Sequence, residues 1–402
     1  MSISDKFIEY VKINTQSEPY STTVPSSQCQ YDLANLLKKQ LDDLGLITKL
    51  DKGYVYGHLL SNSDKQCDTI GLIAHMDTAP DFSGLNVKPR IINKWDGNDI
   101  KLNEERTISL EQFPHMKSYI GDDIVVTDGN TLLGADDKAG IAIIMETIEY
   151  LVNHKEIKHG DIKICFTPDE EIGKGADNFD IEYFNADYAF TLDGGAPNGL
   201  CYETFNAYEV IVNVKGISIH PGSAKGKLVN AITLSNKFDN MLPTFERPEY
   251  TEGFEGFNHL HNISGNSENC KMEYIVRNHN KDIIERQLED FKRIKEYINE
   301  EYGYNAINID INLQYKNMYE LLFDKQDILE VAKKAIEKEG LIVDIESARG
   351  GTDGSRLTFM GLPTPNLGTG GTNYHGPYET CSINQMKQMV NIVINMIESL
   401  VG

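Results

Sequence analysis

The chain has 402 residues, with 38 Lys or Arg against 61 Asp or Glu, for a formal net charge of −23. That length suits roughly two or three domains with real cores, and 40% hydrophobic with 25% charged residues excludes a disordered chain. The acid excess argues against a nucleic-acid partner and against docking on anionic lipid, both of which require Lys and Arg.

The opening MSISDKFIEYVKI carries charges inside its apolar pattern and has no small-residue cleavage site, so it does not read as a signal peptide. No run approaches the ~18 apolar residues that span a bilayer. Ser26 or Ser27 is placed to cap a helix in which Leu33, Leu36, Leu37, Leu41 and Leu44 recur at helical spacing up to Gly45. Strand-like runs follow at Tyr54–Leu60 and Thr69–His75, then a helix after Gly140, then the strands IKICFT and YAFTLD. Apolar strands alternating with helices predict an α/β layer with a largely parallel sheet.

Near residue 206 the pattern changes. AYEVIVNVKG alternates, and a helix is expected around Leu228–Leu242. KMEYIVRNH reads as a strand, Asp282–Tyr302 as a long polar helix, and INIDINLQY as a period-two strand with Ile307, Ile309 and Ile311 on one face. This predicts a small α+β domain of four antiparallel strands and two helices. From about 318 the α/β pattern returns, with helix DILEVAKKAIEKEG, glycine-rich loops and a last helix from Asn384 to Leu400. The expected organisation is one α/β domain built from 1–205 and 318–402, with 206–317 inserted. The insert has 13 basic and 16 acidic residues, so most of the −23 lies outside it.

The six cysteines, Cys29, Cys67, Cys165, Cys201, Cys270 and Cys381, are far apart with no CxxC pair. They read as reduced, packed thiols of a cytoplasmic protein rather than a disulfide frame or a thiolate zinc site.

Open α/β sheets bind ligands at strand ends, and five such segments carry acids or histidines. AHMDTAPDFSG places His75 and Asp77 two apart, so both can point the same way and a carboxylate can hold the imidazole. LLGADDKAG sets Asp136 and Asp137 at a helix start, where a carboxylate can bridge two cations or simply cap the helix. In FTPDEEIGKGA, adjacent Glu170 and Glu171 diverge, so one can ligate while the other acts as a general base. TLDGG ends a strand on Asp193, and GGTNYHGPYE holds His375 in a loop. Each segment has an ordinary local explanation as a turn, cap or solvated loop. Together they assemble imidazole and carboxylate without thiolate, the ligand set of a hydrolytic dinuclear zinc, cobalt or manganese site.

These segments, with GLIAHMDTAPDFSGLNVKP, TLLGADDKAG, FTPDEEIGKGAD, GISIHPGSAKGKLVNA, YTEGFEGF and ARGGTDGSRLTFMGLPTPNLGTGG, resemble the M20 family of co-catalytic metallopeptidases over nearly the whole chain. The resemblance implies a three-layer catalytic domain with a mixed, largely parallel sheet, and an inserted lid and dimerisation domain. It implies that His75 and Asp193 hold one divalent metal, Glu171 and His375 the other, and that Asp136 bridges them beside a cis peptide to Asp137. Asp77 would orient His75 and Glu170 would be the general base. His220 in SIHPGSAKG would reach the scissile carbonyl, and Arg277 and Arg349 would bind the peptide's carboxylate end, a task suited to arginine's bidentate fork. The implied cofactors are two divalent ions per subunit, zinc first, with cobalt or manganese as alternatives. The implied activity is removal of the N-terminal residue from tripeptides, with a small peptide as partner and room for a homodimer through the lid. A dipeptidase or an N-acyl amino acid deacylase would share the metal core, and a catalytically silent peptide- or metal-binding relative is the reading from another class.

Overall fold

A computed structural model describes residues 1–401, which divide into two compact units. The first comprises Met1–Tyr202, Leu321–Glu346 and 352–401, and the second Glu203–Glu320 with Ser347–Gly351. The short return segment 347–351 joins the second unit because Ala348 N donates to Glu203 O at 2.9 Å and Arg349 bonds the carbonyls of Gly253 and Glu255.

The first unit is built on an eight-stranded sheet. Its spatial order is Ile47–Asp51, Tyr54–Leu59, Ile162–Thr167, Ile70–His75, Tyr188–Gly194, Asn366–Gly368, Gly199–Glu203 and Asp344–Ser347. The four central strands, from Ile162–Thr167 to Asn366–Gly368, pair in parallel. Ile47–Asp51 pairs antiparallel with Tyr54–Leu59, Tyr54–Leu59 with Ile162–Thr167, and Gly199–Glu203 with Asn366–Gly368. The central strands are buried along nearly their whole length, as parallel strands covered on both faces must be. Side chains alternate between two cores. Leu72, Ala74, Ile164, Phe166 and Phe190 face helices Ile3–Val11, Gln30–Asp43, Ala135–Asn153 and Ile383–Ser399. Ile73, Cys165 and Ala189 face Phe179, Phe184 and Leu357. The sheet is mixed with a parallel core, as the resemblance implies.

Parallel registration decides where chemistry can occur. His75 lies opposite Thr167, and Ile73 opposite Thr191. Parallel strands end at the same edge, so His75, the 168–171 turn and Asp193 emerge together there.

One local expectation is corrected. The helix containing Leu33 begins at Gln30 without a side-chain cap. Ser26 and Ser27 are engaged elsewhere: Ser26 N donates to Asp169 Oδ2 at 2.7 Å, and Ser27 Oγ to Gln16 O at 2.6 Å. The stretch 88–126 folds as very short strands and a 3₁₀ turn around Trp95, Ile108, Met116 and Tyr119. Strands of two or three residues carry no readable period, so this small core was not legible in the sequence.

The second unit is a four-stranded antiparallel sheet, ordered Phe257–Gly265, Asn269–Asn278, Asn206–Lys215 and Ile307–Tyr315. One face, including Val210, Val212, Met272 and Tyr274, packs on Phe238 and Phe291 of helices Ala231–Met241 and Lys281–Tyr302. This is the expected α+β arrangement. Among the described residues no helix is long and apolar enough to cross a membrane.

Gly140 lets helix Ala135–Asn153 approach the strand that carries Asp193. A Cβ there would fall 2.0 Å from Leu192 O and 2.5 Å from Asp137 Oδ1. Gly140→Ala should therefore lower the unfolding free energy by about 1–3 kcal/mol. Urea denaturation checks this, and an unchanged midpoint would show that the helix can shift without cost.

Candidate active site

His75 closes its strand fully buried. Its Nε2 lies 2.9 Å from Asp136 Oδ1 and 3.4 Å from Asp193 Oδ1. His375, at φ 61° in its glycine-rich loop, points Nε2 at Glu171 Oε2 (3.0 Å) and Asp136 Oδ2 (3.3 Å). Asp136 thus presents one carboxylate oxygen to each histidine. The ligand atoms of His75, Asp136 and Glu171 lie within 4.8 Å of one another, as do those of His75, Asp137 and Asp193. Asp137 is committed differently, because its carboxylate accepts the N–H groups of His75 and Gly140, each at 3.2 Å. The peptide joining Asp136 to Asp137 is cis.

Asp77 has two partners. His75 Nδ1 lies 3.1 Å from its backbone carbonyl and 3.4 Å from its carboxylate. The same carboxylate accepts the backbone N–H of Glu170 at 2.9 Å and of Glu171 at 3.1 Å. One buried anion therefore sits between a candidate ligand and the turn that carries both glutamates.

Two acids that received no role in the sequence reading hold the loops in place. Glu379, buried four residues after His375, accepts the N–H of Leu133 (2.7 Å), Gly134 (2.8 Å) and Asp136 (3.0 Å). Asp169, in the left-handed region at φ 59°, accepts Ser26 N and Gln30 Nε2, each at 2.7 Å, and the Ser26 hydroxyl. The sequence signal was slight: an acid next to a motif, whose burial follows only from the fold.

The electrostatics are those of crowded buried anions. Burial pushes the Glu171 and Asp193 carboxyls up to about 7, with Asp136's charge adding to both. Burial also raises Glu170 well above the usual range; His75 eases this, while Asp193, Asp353 and Glu171 reinforce it. Against the pull of burial, hydrogen bonds from His375 and His75 hold Asp136 well below the normal carboxylate range. Bonds to Asp136 and Glu171 lift His375 to about 11. Burial opposes the charged form of His75, but Asp193 and Asp136 overcome it. Glu171 Oε1 is buried with no hydrogen-bond partner, a costly state for a carboxylate oxygen unless a cation meets it. An orphaned carboxylate oxygen, a two-faced Asp136 and an imidazole–carboxylate donor set all fit a pair of divalent cations.

The remaining predicted residues lie in the second unit. His220 is exposed, and its Nδ1 accepts Gly222 N at 3.1 Å, which leaves the ring proton on Nε2. Arg277 stacks over Tyr315 and donates to the carbonyls of Tyr208 and Val276, both at 3.0 Å. Arg349 lies over the rings of Phe205 and Phe257 and donates to Gly253 O, Glu255 O and Thr251 Oγ1. In this conformation both guanidiniums are engaged by their own unit.

Comparison with known proteins places this geometry. The sequence profile of peptidase family M20/M25/M40 matches residues 126–399. Relatives named peptidase T from Clostridium perfringens (strain SM101 / Type A) and Staphylococcus aureus (strain JH9) are each 48% identical over 398 residues, covering 98% of this chain and 98% of the relative. Among solved structures, aminopeptidase PepT from Bacillus cereus ATCC 10987 is similar with a TM-score of 0.79 at 25% identity, covering 100% of this chain and 98% of that one.

The pKa directions predict how metal and pH act together. Glu171 and Asp193, near 7 in the fold against about 4 when unfolded, keep protons in the folded state, and the stability this adds is lost as pH rises from about 4 through 7. His375, near 11 against about 6.5 unfolded, adds stability that is full below that value and lost as pH rises toward 11. All three weaken the chelated protein at higher pH, and a metal ion competes with the same protons. The Tm difference between zinc-supplemented and chelator-treated protein should therefore be larger at pH 8 than at pH 6. Differential scanning fluorimetry checks this, and an equal or smaller difference at pH 8 would count against the ligand set.

Proposed function

The chain belongs to peptidase family M20/M25/M40, and on that premise we propose that it is a metal-dependent aminopeptidase that removes the N-terminal residue from tripeptides. The observation that carries the reading is Asp136, whose two oxygens face His75 and His375 within a cluster completed by Glu171 and Asp193. In this reading His75, Asp193 and Asp136 hold one divalent ion, and His375, Glu171 and Asp136 the other, with zinc preferred over cobalt or manganese. Two such cations supply Lewis acidity to the peptide carbonyl and lower the pKa of an attacking water.

The chain's own groups do the rest. Asp77 fixes the 170–171 turn through two backbone hydrogen bonds, so Glu170 and Glu171 diverge from one rigid point. Glu171 faces His375 and ligates. Glu170 faces the substrate as the base, its proton affinity raised by burial and by neighbouring carboxylates. It takes the proton of the water that attacks the carbonyl carbon, then delivers it to the amine as the C–N bond breaks. His75 Nδ1 keeps its contact with the Asp77 carbonyl, which leaves Nε2 as the ligating nitrogen. Contacts with substrate are assigned to His220, Arg277 and Arg349 by resemblance alone.

Hydrolysis of Ala-Ala-Ala, Ala-Ala, Ala-Ala-Ala-Ala and N-acetyl-alanine, before and after chelation and metal add-back, tests the reading. Tripeptide cleavage that is lost on chelation and restored by a divalent metal is expected. Preference for the dipeptide or the N-acetyl substrate would reassign the substrate class, and no hydrolysis of any of them would favour a silent binding relative. Glu170→Ala should retain metal in elemental analysis while kcat falls by about 10²–10⁴. Near-normal turnover in that metal-replete variant would remove Glu170 as the base.

A further inference from the structure

The loop after His75 carries a second carboxylate, Asp81, whose setting differs from that of Asp77. The loop backbone is tied down along its length. Ser17 N donates to Thr78 O at 3.1 Å, and Leu132 N to Ser83 O at 3.0 Å. Gln16 Nε2 reaches Phe82 O at 3.4 Å, and the Arg106 guanidinium lies over the Phe82 ring. On this fixed backbone the Asp81 side chain is 66% exposed, with Oδ2 standing 3.8 Å from His375 Nδ1. That separation is beyond hydrogen-bond length. Asp77, by contrast, is buried, lies closer to its histidine and is committed to two backbone N–H groups.

His375 Nε2 points inward at Glu171 and Asp136. Asp81 therefore stands across the imidazole from the ligand carboxylates, beside a His375 side chain that is 45% exposed. Of the carboxylates that contact either histidine among the described residues, Asp136, Asp193 and Glu171 are placed as ligands, and Asp77 and Asp137 are bound by backbone N–H groups. Asp81 alone among them is neither.

An enzyme that cleaves after the first residue must read a free α-ammonium. That nitrogen is two bonds from the scissile carbonyl carbon, about 2.5 Å away. It must then lie within a few ångströms of the ligand cluster, and it needs an anion that no metal already uses. We propose that Asp81 is the specificity-determining residue that accepts the substrate's α-ammonium, restricting the site to peptides with a free N-terminus. The inference rests on the aminopeptidase reading above and adds the group that recognises the amine.

The test compares Ala-Ala-Ala with its des-amino analogue, propionyl-Ala-Ala, as substrates of the metal-loaded wild type, Asp81→Asn and Asp81→Glu. Metal retention in each is measured by chelator competition. The wild type should favour the free amine in kcat/KM. Asp81→Asn should reduce that preference by about tenfold or more, as loss of a charge-assisted hydrogen bond implies, chiefly through KM and with metal retention unchanged. Asp81→Glu should recover part of the preference. An unchanged preference in Asp81→Asn overturns the inference. So does a variant that loses metal and slows on both substrates alike, which would make Asp81 a positioning residue for His375. A wild type that cleaves both substrates equally well overturns this inference while leaving the peptidase reading intact, and one that cleaves neither overturns both.

Discussion

The structure turns on how it keeps several carboxylates ionisable in a buried place. Anions confined out of water need donors, and here backbone N–H groups supply them. Asp77 takes those of Glu170 and Glu171, Asp137 those of His75 and Gly140, and Glu379 those of Leu133, Gly134 and Asp136. These carboxylates are satisfied by the chain itself. Asp136, Glu171 and Asp193 instead face imidazoles and one another. The division of labour among these acids is therefore set by which of them the backbone neutralises.

This arrangement depends on the parallel core of the sheet. Central strands that run the same way deliver His75, the 168–171 turn and Asp193 to one edge. Helix Ala135–Asn153 can begin close against that edge because Gly140 has no Cβ to strike Leu192 O. The long-range hydrogen bonds of Glu379 and Asp169 then lock loops that are far apart in the chain. Glu379 reaches back more than two hundred residues to the turn that presents Asp136. Such anchoring is how a site assembled from loops keeps the geometry that two-metal chemistry requires.

The pair of adjacent glutamates shows how little sequence spacing is needed once one point is fixed. Asp77 clamps both backbone nitrogens, and from that fixed point the Glu171 carboxylate meets His375. Asp77 also lies against His75. One residue thus couples the position of a ligand histidine to that of the proposed base, and nothing in the HxD spacing alone reveals this second task.

Much of the architecture was legible in the residues themselves. Alternation in INIDINLQY and AYEVIVNVKG, unbroken apolar runs in IKICFT and YAFTLD, and helical spacing around Leu33 and after Gly140 are local signals, because side-chain period follows backbone geometry. The presence of His or acid at successive strand ends was equally visible, and with the motif resemblance it led to the family. Tertiary structure alone decided which acids are spent on backbone and which face the histidines. Asp136 and Asp137 are neighbours of identical chemistry, yet one faces both histidines and the other accepts backbone N–H groups. It alone revealed Glu379 and Asp169 as anchors, placed Ser26 on Asp169 rather than on its helix, and set the exposed Asp81 beside His375. Composition and period describe a residue's own segment. What neutralises a buried charge is supplied by segments far away in the chain, and only folding brings the two together.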